Sequence, residues 1–135
     1  MPGLLADHDV EGHLQLLLRR LQSDPWSELW DGLGFRIETF ETLGLATNIS
    51  DATLWQCCQN NDLVLMTANR NEDSPDSLEA TIRTRSKIDS LPVITLADPQ
   101  RIMHDRQYAE LVVERLIDYL FEIDNYRGVG RLFVP

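Results

Sequence analysis

Five short runs of residues along the chain have the apolar pattern expected of β-strands. Gly3–Ala6, Leu63–Met66 and Pro92–Leu96 are almost continuously apolar, which is typical of strands buried on both faces. Phe35–Thr39 alternates apolar and polar residues, as a half-buried strand does. Leu132–Val134 predicts a short last strand near the end of the chain.

The segments between these runs have helical spacing or helix-start signals. A good N-cap, Ser50, precedes Asp51, and Pro at a first helical position is a second kind of start signal. Together these patterns predict helices over Val10–Leu21, from Asp24-Pro25 to about Gly32, over Asp51–Asn60, from Ser74-Pro75 onward, and over Tyr108–Ile123.

Strands that alternate with helices predict an α/β fold with a mainly parallel sheet covered by helices on both faces. In such sheets the ligand site lies beyond the carboxyl ends of the strands. The polar residues at these ends are Asp7, His8 and Asp9 after the first strand and residues 69–73 after the third. Asp51 opens a helix and is expected near the same edge. Converging carboxylates there would suit Mg²⁺ or Mn²⁺, which prefer oxygen ligands.

Composition narrows the class of protein. A chain of 135 residues has the size of one domain, and no apolar run approaches the roughly 18 residues of a membrane span. The two cysteines are adjacent, at Cys57 and Cys58, which argues against a disulfide framework and predicts a reducing, cytoplasmic location. The net charge of −10 argues against tight unaided binding to duplex DNA, and fits a carboxylate metal site, a basic partner or solubility alone.

Three blocks of the sequence resemble short PIN-like proteins. They are Leu4–Val10, Ser50–Leu54 and Val64–Asn71, with Gly44-Leu45 in the loop before the second block. In that family a first strand ends in Asp, a helix begins with Ser-Asp, and a strand ending in Thr enters a turn rich in Asp or Asn around an Arg. The resemblance covers roughly residues 3–96 in the right order.

The resemblance implies a three-layer PIN-like fold, as a single domain over residues 1–135. It also implies a metal-dependent ribonuclease, of the kind found as the toxin that pairs with a small antitoxin protein. Asp7 and Asp51 match the catalytic and metal-binding acids, and Mg²⁺ or Mn²⁺ would assist cleavage of RNA.

Two asparagines depart from the family pattern. Asn69 and Asn71 stand where the family often has aspartates, and an amide oxygen binds a metal without adding negative charge. Glu72 and Asp73 follow immediately and are further candidate ligands. Three hypotheses therefore stay open: a metal-dependent nuclease, a PIN-like protein that binds without cleaving, and an unrelated acidic α/β domain that works through protein contacts.

Each candidate residue also has a plainer interpretation. Asp7 would cap a helix beginning near Asp9 or Val10, and Asp51 would complement a helix dipole. Residues 69–73 would form a turn, because Asn and Asp hydrogen-bond their own main chain.

The histidines and tryptophans are weaker candidates. His8 and His13 lie five residues apart, the wrong spacing for a zinc pair on one helix face. The tryptophans favour packing over base stacking, and the apolar surface of Trp26, Trp30 and the last helix predicts a homodimer.

Overall fold

A computed structural model describes residues 2–70 and 74–135, and its centre is a five-stranded sheet in which all paired strands are parallel. The strands are β1 (Gly3–Ala6), β2 (Arg36–Glu38), β3 (Leu63–Thr67), β4 (Val93–Leu96) and β5 (Arg131–Val134). Their order across the sheet is β2-β1-β3-β4-β5. The predicted α/β fold with a mainly parallel sheet is confirmed.

Seven α-helices connect the strands in the described ranges. They are α1 (Glu11–Leu21), α2 (Ser27–Leu33), α3 (Phe40–Leu43), α4 (Asp51–Asn60), α5 (Leu78–Arg85), α6 (Pro99–His104) and α7 (Arg106–Phe121). Two short 3₁₀ turns, His8–Val10 and Ile123–Tyr126, follow β1 and α7.

The helices form two layers, each with its own part of the core. Buried residues of α1 and α7 pack on the sheet face that carries Leu4, Val64 and Ile94. Buried residues of α4 and α5 pack on the other face, which carries Leu5 and Leu65. The sheet is thus the middle of three layers, which explains why β1, β3 and β4 are buried along their whole length.

Three helix starts differ from the prediction. The helix predicted from Asp24-Pro25 begins at Ser27, with Trp26 as its N-cap. The helix predicted from Ser74-Pro75 begins at Leu78 instead, because Ser77 is the N-cap and its Oγ accepts a hydrogen bond from the Ala80 amide at 3.1 Å. Helix α6 was not predicted, although Asp98 and Pro99 give the same signal of an N-cap followed by Pro. The Ser50 cap of α4 is confirmed by its hydrogen bond from the Thr53 amide.

The strand order places the candidate site. The chain leaves β1 for β2 on one side and later returns to β3 on the other side of β1. Such a reversal opens a crevice at the carboxyl ends of the two central strands, where ligands bind in open parallel sheets. In the described part of the chain, no helix is long and apolar enough to cross a membrane.

Candidate functional site

Three of the predicted residues meet where β1 and β3 end. Asp7 directly follows β1, and its amide donates a 2.7 Å hydrogen bond to the Met66 carbonyl of β3. Asn69 lies two residues beyond β3, and Asp51 is the first residue of α4. The parallel register of β1 and β3, with Ala6 beside Met66, therefore brings Asp7 level with the end of β3.

Asp7 is held by a strand residue. The Thr67 hydroxyl donates to Asp7 Oδ2 at 3.0 Å, and Thr67 is fully buried. Burial raises the pKa of the Asp7 carboxyl above its usual range, the Thr67 hydrogen bond opposes that rise, and the charges of Asp9 and Asp51 add to it. Asp7 stands at the N-cap position of the following 3₁₀ turn, where its side chain makes no capping hydrogen bond.

Asp51 joins three elements through one oxygen. Its Oδ2 accepts from Asn69 Nδ2 at 2.9 Å and from the Leu78 amide at 3.2 Å. The first amide comes from the turn after β3 and the second from the start of α5. Asp51 also lies in the first turn of α4, where the helix dipole favours a negative charge, so its structural interpretation holds beside the functional one.

Asn69 links the two carboxylates. Its backbone amide donates to Thr67 Oγ1 at 3.0 Å, and the same hydroxyl donates to Asp7. Its side-chain amide donates to Asp51. The hydrogen-bond path therefore runs from Asp7 through Thr67 and Asn69 to Asp51 without interruption.

These residues line one open pocket of about 370 Å³. A water molecule occupies about 30 Å³ of liquid, so the pocket has room for a hydrated ion. Its lining consists of Asp7, His8, Asp9, Thr47, Ile49, Asp51, Thr67, Ala68 and Asn69.

Asp7 and Asp51 differ from the ion-paired carboxylates found elsewhere among the described residues. Within residues 2–70 and 74–135, no ion pair joins Asp7 or Asp51 to an Arg, Lys or His. Over the same residues, no three His, Cys, Asp or Glu side chains are grouped so that they could hold a metal ion. The candidate ligands Asn71, Glu72 and Asp73 lie outside the described residues.

Two residues of the site region were not among the predicted site residues. Thr67 follows the predicted strand Leu63–Met66. A hydroxyl that is predicted to be buried needs a hydrogen-bond partner, so it signals a nearby polar group. Arg131 begins β5, and Arg131 Nη1 donates to the Asn69 carbonyl at 2.9 Å. A single Arg distant in sequence gives no signal of this contact.

The weaker candidates lie elsewhere or are engaged. His8 Nδ1 is 2.9 Å from Glu11 Oε1. Trp30 and Trp55 are buried in the core, which confirms the packing interpretation for both. Since Trp30 is covered, it adds nothing to the apolar surface that predicted a homodimer, and the homodimer stays a prediction.

Comparisons with known proteins add no relative. A scan against protein-family models, a search of curated proteins and a search of solved structures each found no match. The functional argument therefore depends on the geometry of the site and on the resemblance of the three sequence blocks.

Proposed function

We propose that this protein is a PIN-like domain whose site binds Mg²⁺ or Mn²⁺ weakly and hydrolyses RNA slowly. The observation that supports the proposal best is the convergence of Asp7, Asp51 and Asn69 on one pocket at the strand-order reversal. Carboxylates that meet there without an ion-pair partner in the described part of the chain are suited to a divalent ion.

The donor set fits a weakly held, largely hydrated ion. Asp51 accepts its hydrogen bonds from Asn69 and Leu78 on Oδ2, and Asp7 accepts the hydrogen bond from Thr67 on Oδ2. An ionised carboxylate has about four lone-pair positions, so both groups keep acceptor capacity for an ion. Mg²⁺ usually keeps several waters and uses one or two carboxylates together with substrate phosphates, so we expect a dissociation constant on the order of millimolar.

The chain's own contribution to hydrolysis is orientation. When bound, the ion would polarise a phosphate oxygen and lower the pKa of an attacking water. Thr67 fixes the direction of the Asp7 carboxylate, while Asn69 and the Leu78 amide fix that of Asp51. Both acids are thus arranged before a substrate arrives, which reduces the entropy that must be lost in the reaction.

A second function, binding without cleavage, is favoured by one contact. Asn69 Nδ2 donates to Asp51 Oδ2, and this bond stabilises Asp51 without any ion. An aspartate at position 69 would instead repel Asp51 until a cation neutralised both. In this second proposal the domain recognises a partner, such as an RNA or a small antitoxin protein, and has lost turnover.

Metal binding is tested by thermal unfolding in a Mn²⁺ titration. At ten times the dissociation constant, mass action should add about 1.4 kcal/mol of stability, or roughly 5 °C in Tm for a domain of this size. D7N should weaken this response. The matched control is D118N, which removes one negative charge from the exposed face of α7 and should leave the response unchanged.

Cleavage is tested with the same variants on a mixture of single-stranded RNAs. Slow hydrolysis that requires Mn²⁺ and is lost in D7N would support the nuclease. A Mn²⁺ response without hydrolysis would support binding without cleavage. A natural protein with neither response would overturn the metal-dependent nuclease, and would leave partner binding without an ion and the unrelated α/β domain as the remaining hypotheses.

A further inference from the structure

Arg131 is a nearly buried cation behind the site, with its side chain 9% exposed. It begins β5, beside Val93 of β4, and its guanidinium extends toward the carboxyl end of the sheet. Burying a guanidinium is costly unless its donors are satisfied, so its partners show what the fold uses it for.

The donors of Arg131 divide into two branches. Nε and Nη2 donate to Glu79 Oε2 of α5 at 3.1 and 2.8 Å. Nη1 donates to Thr95 Oγ1 of β4 at 2.6 Å and to the Asn69 carbonyl at 2.9 Å. The first branch is an ion pair with a helix, and the second fixes the turn after β3.

The second branch reaches both carboxylates of the site. Arg131 holds the carbonyl of Asn69, the Asn69 side chain donates to Asp51, and the Asn69 amide donates to the hydroxyl that holds Asp7. A displacement of this carbonyl would therefore move a donor of Asp51 and a neighbour of Thr67 together.

We propose that Arg131 is a positioning residue, which holds the turn at Asn69 so that Asp7 and Asp51 face the same pocket. Its role toward the metal depends on the proposed function, whereas its role in ordering Asn69 does not. Lysine is expected to replace it poorly, because one ammonium cannot serve both branches in the planar geometry of a guanidinium.

The variants separate positioning from plain stability. R131M removes both branches. E79Q keeps an acceptor for Arg131 but removes the charge of the ion pair, so it weakens the first branch and leaves the second. R127M removes a different arginine, which pairs with Asp62 and Asp124 at the other end of the sheet, and is the matched control for losing an arginine.

Two readouts are measured at a temperature where all variants are folded. The first is the Mn²⁺ dissociation constant, by calorimetric titration. The second is the hydrogen exchange rate of the Asn69 side-chain amide, by NMR in metal-free buffer. We expect R131M to weaken Mn²⁺ binding by about tenfold or more, in the range seen when the residues that support metal ligands are removed.

R131M should also accelerate exchange at Asn69, while R127M and E79Q leave both readouts near those of the natural protein. An R131M protein that is less stable but has natural Mn²⁺ affinity and natural Asn69 exchange would overturn the proposal. If the natural protein binds no Mn²⁺, the proposed function fails, and the Asn69 exchange rate alone decides whether Arg131 positions the turn.

Discussion

The carboxylates at the two ends of the sheet have different partners. At the amino end, where β3 and β5 begin, Arg127 lies 3.6 Å from Asp62 and 2.9 Å from Asp124, and it also donates to the Asp89 carbonyl. At the carboxyl end, Asp7 and Asp51 accept hydrogen bonds from a hydroxyl and from amides. One end is neutralised by a protein cation, and the other, over the described residues, is stabilised by neutral donors.

This difference separates Asp7 and Asp51 from the carboxylates at the amino end of the sheet. A hydrogen bond from a neutral donor stabilises a carboxylate but leaves its negative charge in place, whereas a guanidinium cancels that charge. In a protein with 22 Asp and Glu residues and a net charge of −10, an acidic residue alone does not indicate a site. Asp7 and Asp51 line one pocket and have no ion-pair partner among the described residues, so together they can attract a cation there.

The largest expected effect comes from adding a charge at the carboxyl end. N69D replaces the amide that donates to Asp51 Oδ2 with a second carboxylate. Losing a hydrogen bond to a charged group and gaining repulsion should cost about 2–3 kcal/mol in metal-free buffer. Mn²⁺ affinity should rise about tenfold because a hard anionic ligand is added. Urea unfolding and calorimetric titration measure the two effects.

The control for N69D is N125D. Asn125 Nδ2 also donates to a carboxylate, Glu122 Oε2 at 3.3 Å, but at an exposed position far along the chain. We expect N125D to change stability by less than about 0.5 kcal/mol and to add no Mn²⁺ affinity. If N69D behaves like N125D, the contrast between the two ends of the sheet is wrong.

The next effect comes from removing a neutral donor. T67V keeps the shape of a fully buried residue but deletes the hydroxyl that donates to Asp7 and accepts from the Asn69 amide. The loss of both bonds should cost about 2 kcal/mol. It should also raise the pKa of Asp7 further, because the Thr67 hydrogen bond lowers it. Unfolding by urea and a carboxyl titration by NMR check these changes.

The comparison for T67V is T84V on α5. The Thr84 hydroxyl donates to the Ala80 carbonyl at an exposed position of the helix, so its loss should be small. Equal losses in the two variants would mean that Thr67 stabilises the strand end without any particular role for Asp7.

A smaller effect is expected at the amino end. R127M leaves Asp62 and Asp124 without their cation, but the pairs are partly exposed, and such pairs contribute about 1 kcal/mol or less each. The loss should shrink in high salt, because salt screens exposed charges. Urea unfolding at two salt concentrations measures it, and a loss that does not depend on salt would show that Arg127 acts through the Asp89 carbonyl instead.

The sequence predicted the elements better than it predicted the site. Apolar periodicity is a local property, so β1, β3, α4 and the strand at Leu132–Val134 were found close to their observed bounds. Asp7 and Asp51 were found because strand ends and helix starts are also local features. The contacts of Thr67 with Asp7 and of Arg131 with Asn69 and Thr95 join residues 36 to 62 positions apart, and no local pattern encodes which strand lies beside which.

Asn69 is a second residue whose contact could not be predicted from the local sequence. The sequence predicts that Asn69 is a weaker metal ligand than an aspartate, because that prediction considers only its acceptor oxygen. In the fold its nitrogen is the group that contacts Asp51. The partner of a side chain decides whether an amide acts as a donor or an acceptor, and that partner is set by the packing of α4 against β3.

The smallest effect, and the one of opposite sign, is expected for D7N in metal-free buffer. Burial raises the pKa of Asp7 above the usual value of 3.8, so the folded state binds a proton more readily than the unfolded state does. Stability therefore falls as the pH rises from about 3.8 through the pKa of the folded protein. At neutral pH the full cost of burying the Asp7 charge destabilises the natural protein, whereas the D7N variant has no such cost.

D7N should thus be more stable than the natural protein at pH 7, although the weaker hydrogen bond from Thr67 to a neutral acceptor reduces the gain. The gain should shrink as the pH is lowered toward 3.8 and vanish below it, where Asp7 becomes neutral in both states. Urea unfolding across this range, with D62N at the amino end as the control, measures it. Asp62 faces Arg127, so its removal should give no gain at neutral pH.

A D7N protein that is less stable than the natural one at pH 7 would mean that the Thr67 contact outweighs the cost of burying the Asp7 charge. The carboxyl end would then be a structural hydrogen-bond network and not a site maintained at the expense of stability.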